Sequence, residues 1–310
     1  MASLREVGER ALVANLARVI RPCGRHGPGD DAVEVDGRDV LVCTDLITFE
    51  RHFPRGMSFE QFGWTAAAVN LSDIASMGAR PLGVLIAAAL PGDCDESDLY
   101  DLVSGADQCA EFCETHIIGG DTKEGPGVVA GTALGTTDGR PPLTRYGAAP
   151  GDIVAVTGAL GSAAAGYFAL KDGLEDDSTF SLYVPVPRIK EGLELSFSGA
   201  VTSCIDLSDG LAVAAGAVCA CSRVGMDIQW EFLPEGDGVD RVSRKVGIPK
   251  KRMMLYWGGE YELMFTFRKD MVDRLYERGL QFTIIGIVTN DDGPYLLDGE
   301  KRVRMEDGEY

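Results

Sequence analysis

Positive charge is scarce in this chain. Its 310 residues carry 29 Lys and Arg against 48 Asp and Glu, a formal net charge of −19. Nucleic acid and anionic membranes are therefore poor partners by default, and a polyanionic substrate would need bound cations to be received. Metal-binding cysteine pairs are also lacking. The eight cysteines (Cys23, Cys43, Cys94, Cys109, Cys113, Cys204, Cys219 and Cys221) include no C-x-x-C pair. Cys109 and Cys113 fall at i, i+4 on an expected helix, but no second pair or nearby His completes a zinc set. Buried free thiols in a reducing cytosol follow. With no signal peptide in the sequence, a cytoplasmic location is expected. No apolar run approaches the roughly 20 residues needed to span a bilayer. The common nucleotide signatures are missing too. There is no G-x-x-x-x-G-K-[ST], no H-R-D or D-F-G, and Thr157-Gly-Ala-Leu-Gly161-Ser is only part of a G-x-G-x-x-G. That last stretch reads as a tight strand–helix turn without the regular alternation of a Rossmann fold.

What is present describes a folded protein of one large or two ordinary domains, with 45% hydrophobic and 25% charged residues. Ser3-Leu-Arg-Glu6 is a capping box, with an amphipathic helix to about Ile20. Val33 to Val42 reads as a hairpin turning at Asp36-Gly37. A second capping box, Ser58 with Gln61, opens a helix to about Met77, ended by Gly78 and Pro81. Leu82–Leu90 is a buried strand, Ser97–Thr115 a helix, and His116–Ile118 and Val128–Thr136 are strands. Arg140 to Gly151, rich in Pro, Gly and Ala, reads as a boundary. Beyond it come a strand from Asp152, an Ala-rich helix to about Leu170 and an irregular stretch from Leu174 to Pro187. Helices are expected near Ile189–Ser196, Gly210–Cys221 and Asp240–Val246, and strands at Asp227–Phe232, Tyr261–Phe267 and Phe282–Val288. Strands and helices mix without a βαβ repeat, so the expected class is α+β in two domains, residues 1–147 and 148–310.

The aspartates carry the chemistry. On a helical wheel Asp73 falls beside Ala66, Ile74 and Met77, on the apolar side, where a carboxylate needs a pair, hydrogen bonds or a metal. Other acidic clusters are Gly29-Asp30-Asp31-Ala32, Thr44-Asp45, Gly119-Gly120-Asp121-Thr122 and Asp206-Leu-Ser-Asp209-Gly210, each expected at a strand end, turn or helix start. Asp45 is expected to close the apolar run Val40–Thr44. Taken singly these have plain structural uses: Asp-Gly is a turn, as at Asp36-Gly37 and Asp292-Gly293, and Asp209 can cap a helix. Taken together they offer carboxylates and hydroxyls with no His cluster or Cys set. That selects hard cations, Mg²⁺ if the partner is a phosphate.

Several motifs in order then resemble one family: Gly29-Asp-Asp31, Thr44-Asp45, His52-Phe53, Asn70-Leu-Ser-Asp-Ile-Ala-Ser-Met-Gly78, Gly119-Gly-Asp-Thr122, Leu143-Thr-Arg-Tyr-Gly-Ala-Ala-Pro-Gly-Asp152 and Ile205-Asp-Leu-Ser-Asp-Gly-Leu211. The chain is similar, from about residue 25 to 267, to the thiamine-monophosphate kinases, in the superfamily of aminoimidazole ribonucleotide synthetase and selenophosphate synthetase. The resemblance implies a homodimer whose N-terminal α/β domains pair in a barrel-like interface beside the ATP sites, with a C-terminal α+β domain packed on each. It implies transfer of the ATP γ-phosphoryl group to thiamine monophosphate, assisted by several Mg²⁺ and without a catalytic acid or base. On the matching positions Asp31, Asp45, Asp73, Asp121 and Asp206 would hold metal, with Thr44 and the Cys43 backbone assisting and Asp209 an outer ligand. Gly120, Asp121, Arg145 and Ser208 would meet ATP. His52 would contact the thiamine phosphate, and Glu260 is the candidate acceptor contact.

The chain departs from the family pattern on the acceptor side. Where the family has Gly-Gly-Glu-Asp-Tyr-Glu-Leu, this sequence has Trp257-Gly-Gly-Glu-Tyr-Glu-Leu263, and no C-terminal aromatic matches cleanly, leaving Tyr310 or Trp257 to face the thiamine rings. Two alternatives stay open on this ground. One is a sister ATP-dependent enzyme acting on another acceptor. The other is a non-catalytic homologue that binds nucleotide or thiamine phosphate.

Overall fold

The computed structural model describes residues 29–35 and 39–305. The expected helix of residues 3–20, Cys23, the Asp36-Gly37 turn and Tyr310 lie outside them. In the first half β1 (Val33–Val35), β2 (Val40–Thr48), β3 (Arg80–Leu90), β4 (Ile117–Glu124) and β5 (Val128–Thr136) form a sheet in the order β1-β2-β5-β3-β4. All neighbours are antiparallel except β3 and β4. Helices α1 (Phe49–His52), α2 (Phe59–Ser76) and α3 (Glu96–Phe112) accompany it.

Helix α2 organises the molecule. Ser58 caps it as expected: the Gln61 N–H donates to Ser58 Oγ at 3.2 Å, and the Ser58 N–H donates back to Gln61 Oε1 at 2.9 Å. Its residues are buried almost all round, including Phe62, Ala66, Ala67, Leu71 and Ile74, the mark of a helix enclosed by other elements. Two glycines let α3 approach closely. A Cβ at Gly63 would strike the Leu102 carbonyl, and one at Gly105 the Glu60 carbonyl.

The second sheet runs β12-β11-β8-β10-β6-β9-β7, from β6 (Ile153–Val156), β7 (Val201–Asp206), β8 (Gly225–Gln229), β9 (Leu263–Phe267), β10 (Thr283–Thr289), β11 (Gly293–Asp298) and β12 (Lys301–Arg304). One face packs on α4 (Ser162–Lys171), α7 (Leu211–Ser222), α8 (Val239–Val246) and α9 (Lys250–Leu255) through Val154, Val156, Met264, Leu211 and Met253. Between α4 and α7 the chain forms α5 (Thr179–Tyr183) and α6 (Ile189–Ser198), and α10 (Val272–Glu277) follows β9. The other face, with Ala155, Leu263, Phe265 and Phe267, shares a core with α2 and with Ile189, Leu195 and Leu275 of α6 and α10. Because β9 is covered on both faces it is buried at every position and reads as an unbroken apolar run.

The α+β class stands, with corrections within it. β2 does not stop before Asp45; β5 pairs with it from Leu41 to Thr48, which holds the strand extended past the polar residue. Gly119-Gly120-Asp121-Thr122 is not a turn but the middle of β4, an edge strand that is exposed from Ile118 to Glu124. Asp292-Gly293 is a turn as expected, closing the short link from β10 to β11 with Gly293 at φ 84°. β7, β11, β12, α1, α5, α9 and α10 are not among the expected elements.

Candidate functional site

Three carboxylates from distant parts of the chain meet between the two sheets. Asp73 stands in the last turn of α2, Asp206 ends β7, and Asp31 lies just before β1. Each has a carboxylate oxygen within 4.8 Å of the other two. Their outer lone pairs are taken by short donors. Ser72 and Ser76, four apart on one face of α2 and flanking Asp73, each hold one of the other two acids: Ser72 Oγ donates to Asp206 Oδ2 at 2.7 Å and Ser76 Oγ to Asp31 Oδ2 at 2.6 Å. Ser208 Oγ donates to Asp206 Oδ1 at 3.0 Å. Arg145 lays its guanidinium on Asp31, with Nε 3.0 Å from Oδ1 and Nη2 on the same oxygen.

The electrostatics are those of crowded, buried acids. Burial pushes the Asp73 carboxyl well above the usual carboxylate range, and the charges of Asp206, Asp31 and Asp45 push it further. Asp206 is pushed up to about 7, by burial first and Asp31 second. Like charges this close do not all ionise unaided. A hard divalent ion removes the conflict by supplying the missing positive charge, and three carboxylates with two flanking hydroxyls form the oxygen-only set that such ions take. Asp30, next to the cluster, is pushed up to about 6 by burial and by Asp31, and its Oδ2 is buried with no hydrogen-bond partner among the described residues.

Asp45 borders this cluster, since its charge is one of those acting on Asp73. Its N–H donates to Asn70 Oδ1 at 2.9 Å, and Asn70 Nδ2 donates to the Ala66 carbonyl at 3.0 Å, so α2 fixes β2 at this point. Gly131 faces Asp45 across the ladder, and a Cβ there would run into the Asn70 amide. Thr44 is used differently. Successive strand residues face opposite sides, and its hydroxyl donates to the Gly131 carbonyl at 2.7 Å and accepts from Thr132 at 3.1 Å. The Cys43 thiol donates to the Asn70 carbonyl at 3.2 Å.

Gly120 and Asp121 are not brought into the cluster within this chain. Gly120 lies in the ladder row of Ile86, Gly131 and Asp45, whereas Asp121 is one row on, with Ala87, Ala130 and Leu46. Asp121 therefore shares the sheet face of exposed Leu46, opposite to Asp45, and three strand spacings separate β4 from β2, about 14 Å. Asp121 pairs with Lys123 at 3.3 Å. On α1, His52 accepts at Nδ1 from the Thr48 N–H at 3.1 Å. Asp209 and Ser208 are exposed on the loop from β7 to α7. Glu260 gives one oxygen to structure: its Oε1 accepts from the Gly161 and Ala163 N–H groups at 2.9 and 3.1 Å, capping α4, and burial pushes its carboxyl up to about 7. Trp257 packs on Tyr167 and Phe168, with ring centroids 4.3 and 5.1 Å away.

Sequence reasoning passed over Ser72, Ser76 and Tyr261. The two serines were readable, because a hydroxyl four residues from its neighbour on a buried helix needs an acceptor. Tyr261 adopts a left-handed backbone, φ 52°, unusual for a bulky residue. Burial, Asp206, Asp45, Asp73 and Asp209 all raise its phenol, which places it beside the acids.

The same fold is found in known proteins. Residues 29–137 match the family described as AIR synthase related protein, N-terminal domain, and residues 149–299 its C-terminal domain. These segments carry the first sheet and most of the second. Thiamine-monophosphate kinase of Pyrococcus abyssi is 33% identical over 287 residues, spanning 91% of this chain and 89% of that protein. The chain belongs to the thiamine-monophosphate kinase family. Two solved members superpose along nearly the whole length. The AaThiL complex with AMPPCP and TMP gives a TM-score of 0.86 at 26% identity, covering 98% of this chain and 99% of that one. Thiamine monophosphate kinase from Aquifex aeolicus gives 0.85 at 26% identity, covering 98% and 100%. Family membership accounts for two mixed α/β domains joined through α2.

Proposed function

We infer that this chain transfers the γ-phosphoryl group of ATP to thiamine monophosphate, giving thiamine diphosphate and ADP. The observation that carries this reading is the convergence of Asp31, Asp73 and Asp206 in a chain of this family. The acceptor is a phosphate oxygen already anionic near neutral pH, so no general base is required, and none is assigned. The obstacle is repulsion between two anions. Divalent ions, Mg²⁺ by the oxygen-only chemistry of the donors, would offset that repulsion and align the acceptor oxygen with the γ-phosphorus. Asp31, Asp73 and Asp206 would hold them, with Asp45 and Asp209 at the border and Thr44 assisting from β2. Arg145, half-buried at the edge of the cluster, and Ser208 would bind the triphosphate, where a guanidinium fork suits phosphate oxygens. His52 is assigned to the thiamine phosphate. Glu260 remains the candidate acceptor contact through the oxygen that does not cap α4, and Trp257 the candidate aromatic against the thiamine rings.

The reading includes a homodimer. The first sheet exposes Val35, Leu46, Leu82 and Ile118, an apolar surface a second copy would cover. Asp121 and Gly120 would then serve the neighbouring copy's site. We place the domain division at 147/148, between the two matched segments. Seven free thiols among the described residues support a cytoplasmic location. In the described residues no helix is long and apolar enough to cross a membrane. Purified protein incubated with ATP, Mg²⁺ and thiamine monophosphate should yield ADP and thiamine diphosphate in equal amounts. A panel of thiamine and other monophosphate esters tests the acceptor. ATP binding without turnover on any acceptor would favour a non-catalytic homologue.

A further inference from the structure

A second buried charge lies behind the site, and the phosphoryl-transfer reading does not use it. Glu262 is 5% exposed, and both its oxygens are engaged. Arg188 grips it with two arms, Nε on Oε2 at 2.8 Å and Nη2 on Oε1, and Thr157 Oγ1 donates to Oε2 at 2.6 Å. Thr157 is locked in turn, accepting from the Leu263 N–H at 2.9 Å. Gly158 leaves room for the carboxylate, which a Cβ would strike. The Glu262 carbonyl accepts from the Leu207 N–H at 2.8 Å, between Asp206 and Ser208. The residue just before Glu262 is Tyr261, in a left-handed backbone conformation at φ 52°, and the one before that is Glu260.

Arg188 comes from the other direction. It immediately precedes α6, which lies so close to α2 that a Cβ at Gly192 would strike the Ala75 carbonyl, two residues past Asp73. The strand of chain leading to it is tied to α2 as well. Trp64 Nε1 donates to the Pro185 carbonyl at 2.6 Å and Thr65 Oγ1 to the Tyr183 carbonyl at 3.3 Å. One guanidinium thus joins the strap 183–188, anchored on the helix of Asp73, to the turn that follows Glu260.

We propose that Arg188 is a positioning residue: by clamping Glu262 it sets the Glu260–Tyr261 turn against Asp206 and so builds the acceptor side of the site. Glu262 is buried with both oxygens taken, so the pair acts through the turn it holds. Its effect should fall on the acceptor more than on ATP, since Asp31 and Arg145 are held by each other and by Ser76, not by this pair. This inference rests on the phosphoryl-transfer reading for its kinetic form, but its structural form does not.

The test is Arg188→Ala with two readouts. Hydrogen–deuterium exchange should rise at least tenfold in residues 257–263 while α2 residues 66–74 keep their protection. In steady-state kinetics the KM for thiamine monophosphate should rise about tenfold or more, with the KM for ATP within threefold of the unmodified protein. Arg188→Lys keeps the charge but not the two-point grip; it should fall between the two and serves if the alanine variant does not fold. Unchanged exchange at 257–263 overturns the proposal, as does an equal rise in both KM values. If the unmodified protein makes no thiamine diphosphate, the functional reading has failed, and the exchange experiment still decides the role of Arg188.

Discussion

Ser76 and Asp31 are 45 residues apart in sequence and 2.6 Å apart in space, hydroxyl to carboxylate. The Asp73 carbonyl lies 2.8 Å from the same hydroxyl and shares its one hydrogen, so this side chain touches the helix backbone while it holds an acid from another element. It orients Asp31 for a shared cation. Hydrogen bonds to charged groups contribute about 1.5–3 kcal/mol. Ser76→Ala should therefore raise the Mg²⁺ concentration for half-maximal activity by roughly tenfold, with turnover at saturating Mg²⁺ reduced less. A metal titration of initial rates checks this; an unchanged midpoint would mean that Ser76 serves only packing.

Asp73→Asn separates the two duties of a crowded carboxylate. Its charge is disfavoured by burial and by Asp206, Asp31 and Asp45, so in metal-free protein the neutral amide relieves repulsion. The variant should lose at least a thousandfold in turnover while its metal-free melting temperature stays level or rises. Thermal melts with and without Mg²⁺ read this out. The unmodified protein should be stabilised by Mg²⁺ and the variant far less. A variant that keeps its activity would remove Asp73 from the ligand set.

The same crowding fixes a pH dependence. Asp206 rises from 3.8 to about 7 on folding and Glu260 from 4.5 to about 7, both chiefly by burial. Between about pH 4 and 7 the folded chain then holds more protons than the unfolded one, so these groups' contribution to stability is full below that window and is lost as pH rises through it. Metal-free protein should melt at progressively lower temperature from pH 5 to pH 7.5. With saturating Mg²⁺ the slope should flatten, because ionised carboxylates are then the bound form. A metal-free melting temperature that climbs across this range would contradict the assignment.

How much of this could be read from residues alone depended on contrast. Asp73 was visible because an acid among Ala66, Ile74 and Met77 contradicts its surroundings, and Ser58 with Gln61 marked the start of α2 through local chemistry. Where position is set by distant partners, contrast fails. β4 is built from Ile-Ile-Gly-Gly-Asp-Thr-Lys-Glu, polar and glycine-rich, since an edge strand exposed on both faces needs no apolar alternation; in sequence it looks like a turn. β7 is short and small-sided, and its pairing with β9 makes it a strand. Glu260 looked like a ligand because it stands in a Gly-Gly-Glu motif. Nothing local announces that the N-terminus of α4, about 100 residues earlier, takes one of its oxygens. Likewise, the face on which Asp121 lies follows from ladder register across four strands, which no motif encodes.

That register supplies the sharpest experiment on assembly. If Asp121 acts in the neighbouring copy's site, each complete site draws Asp73 from one chain and Asp121 from the other. Asp73→Asn and Asp121→Asn proteins should each be inactive alone. Unfolded together and refolded, random pairing makes half of the dimers mixed, and each mixed dimer holds one site with both aspartates intact and one with neither. Activity should return to roughly a quarter of the unmodified level in a two-fold symmetric dimer. Leu46→Asp in both chains places a charge on the covered face and should abolish the recovery while leaving each chain folded by circular dichroism. Were the two aspartates to act within one chain, no mixture would regain activity, and the path from β4 to the cluster would have to close inside a single copy.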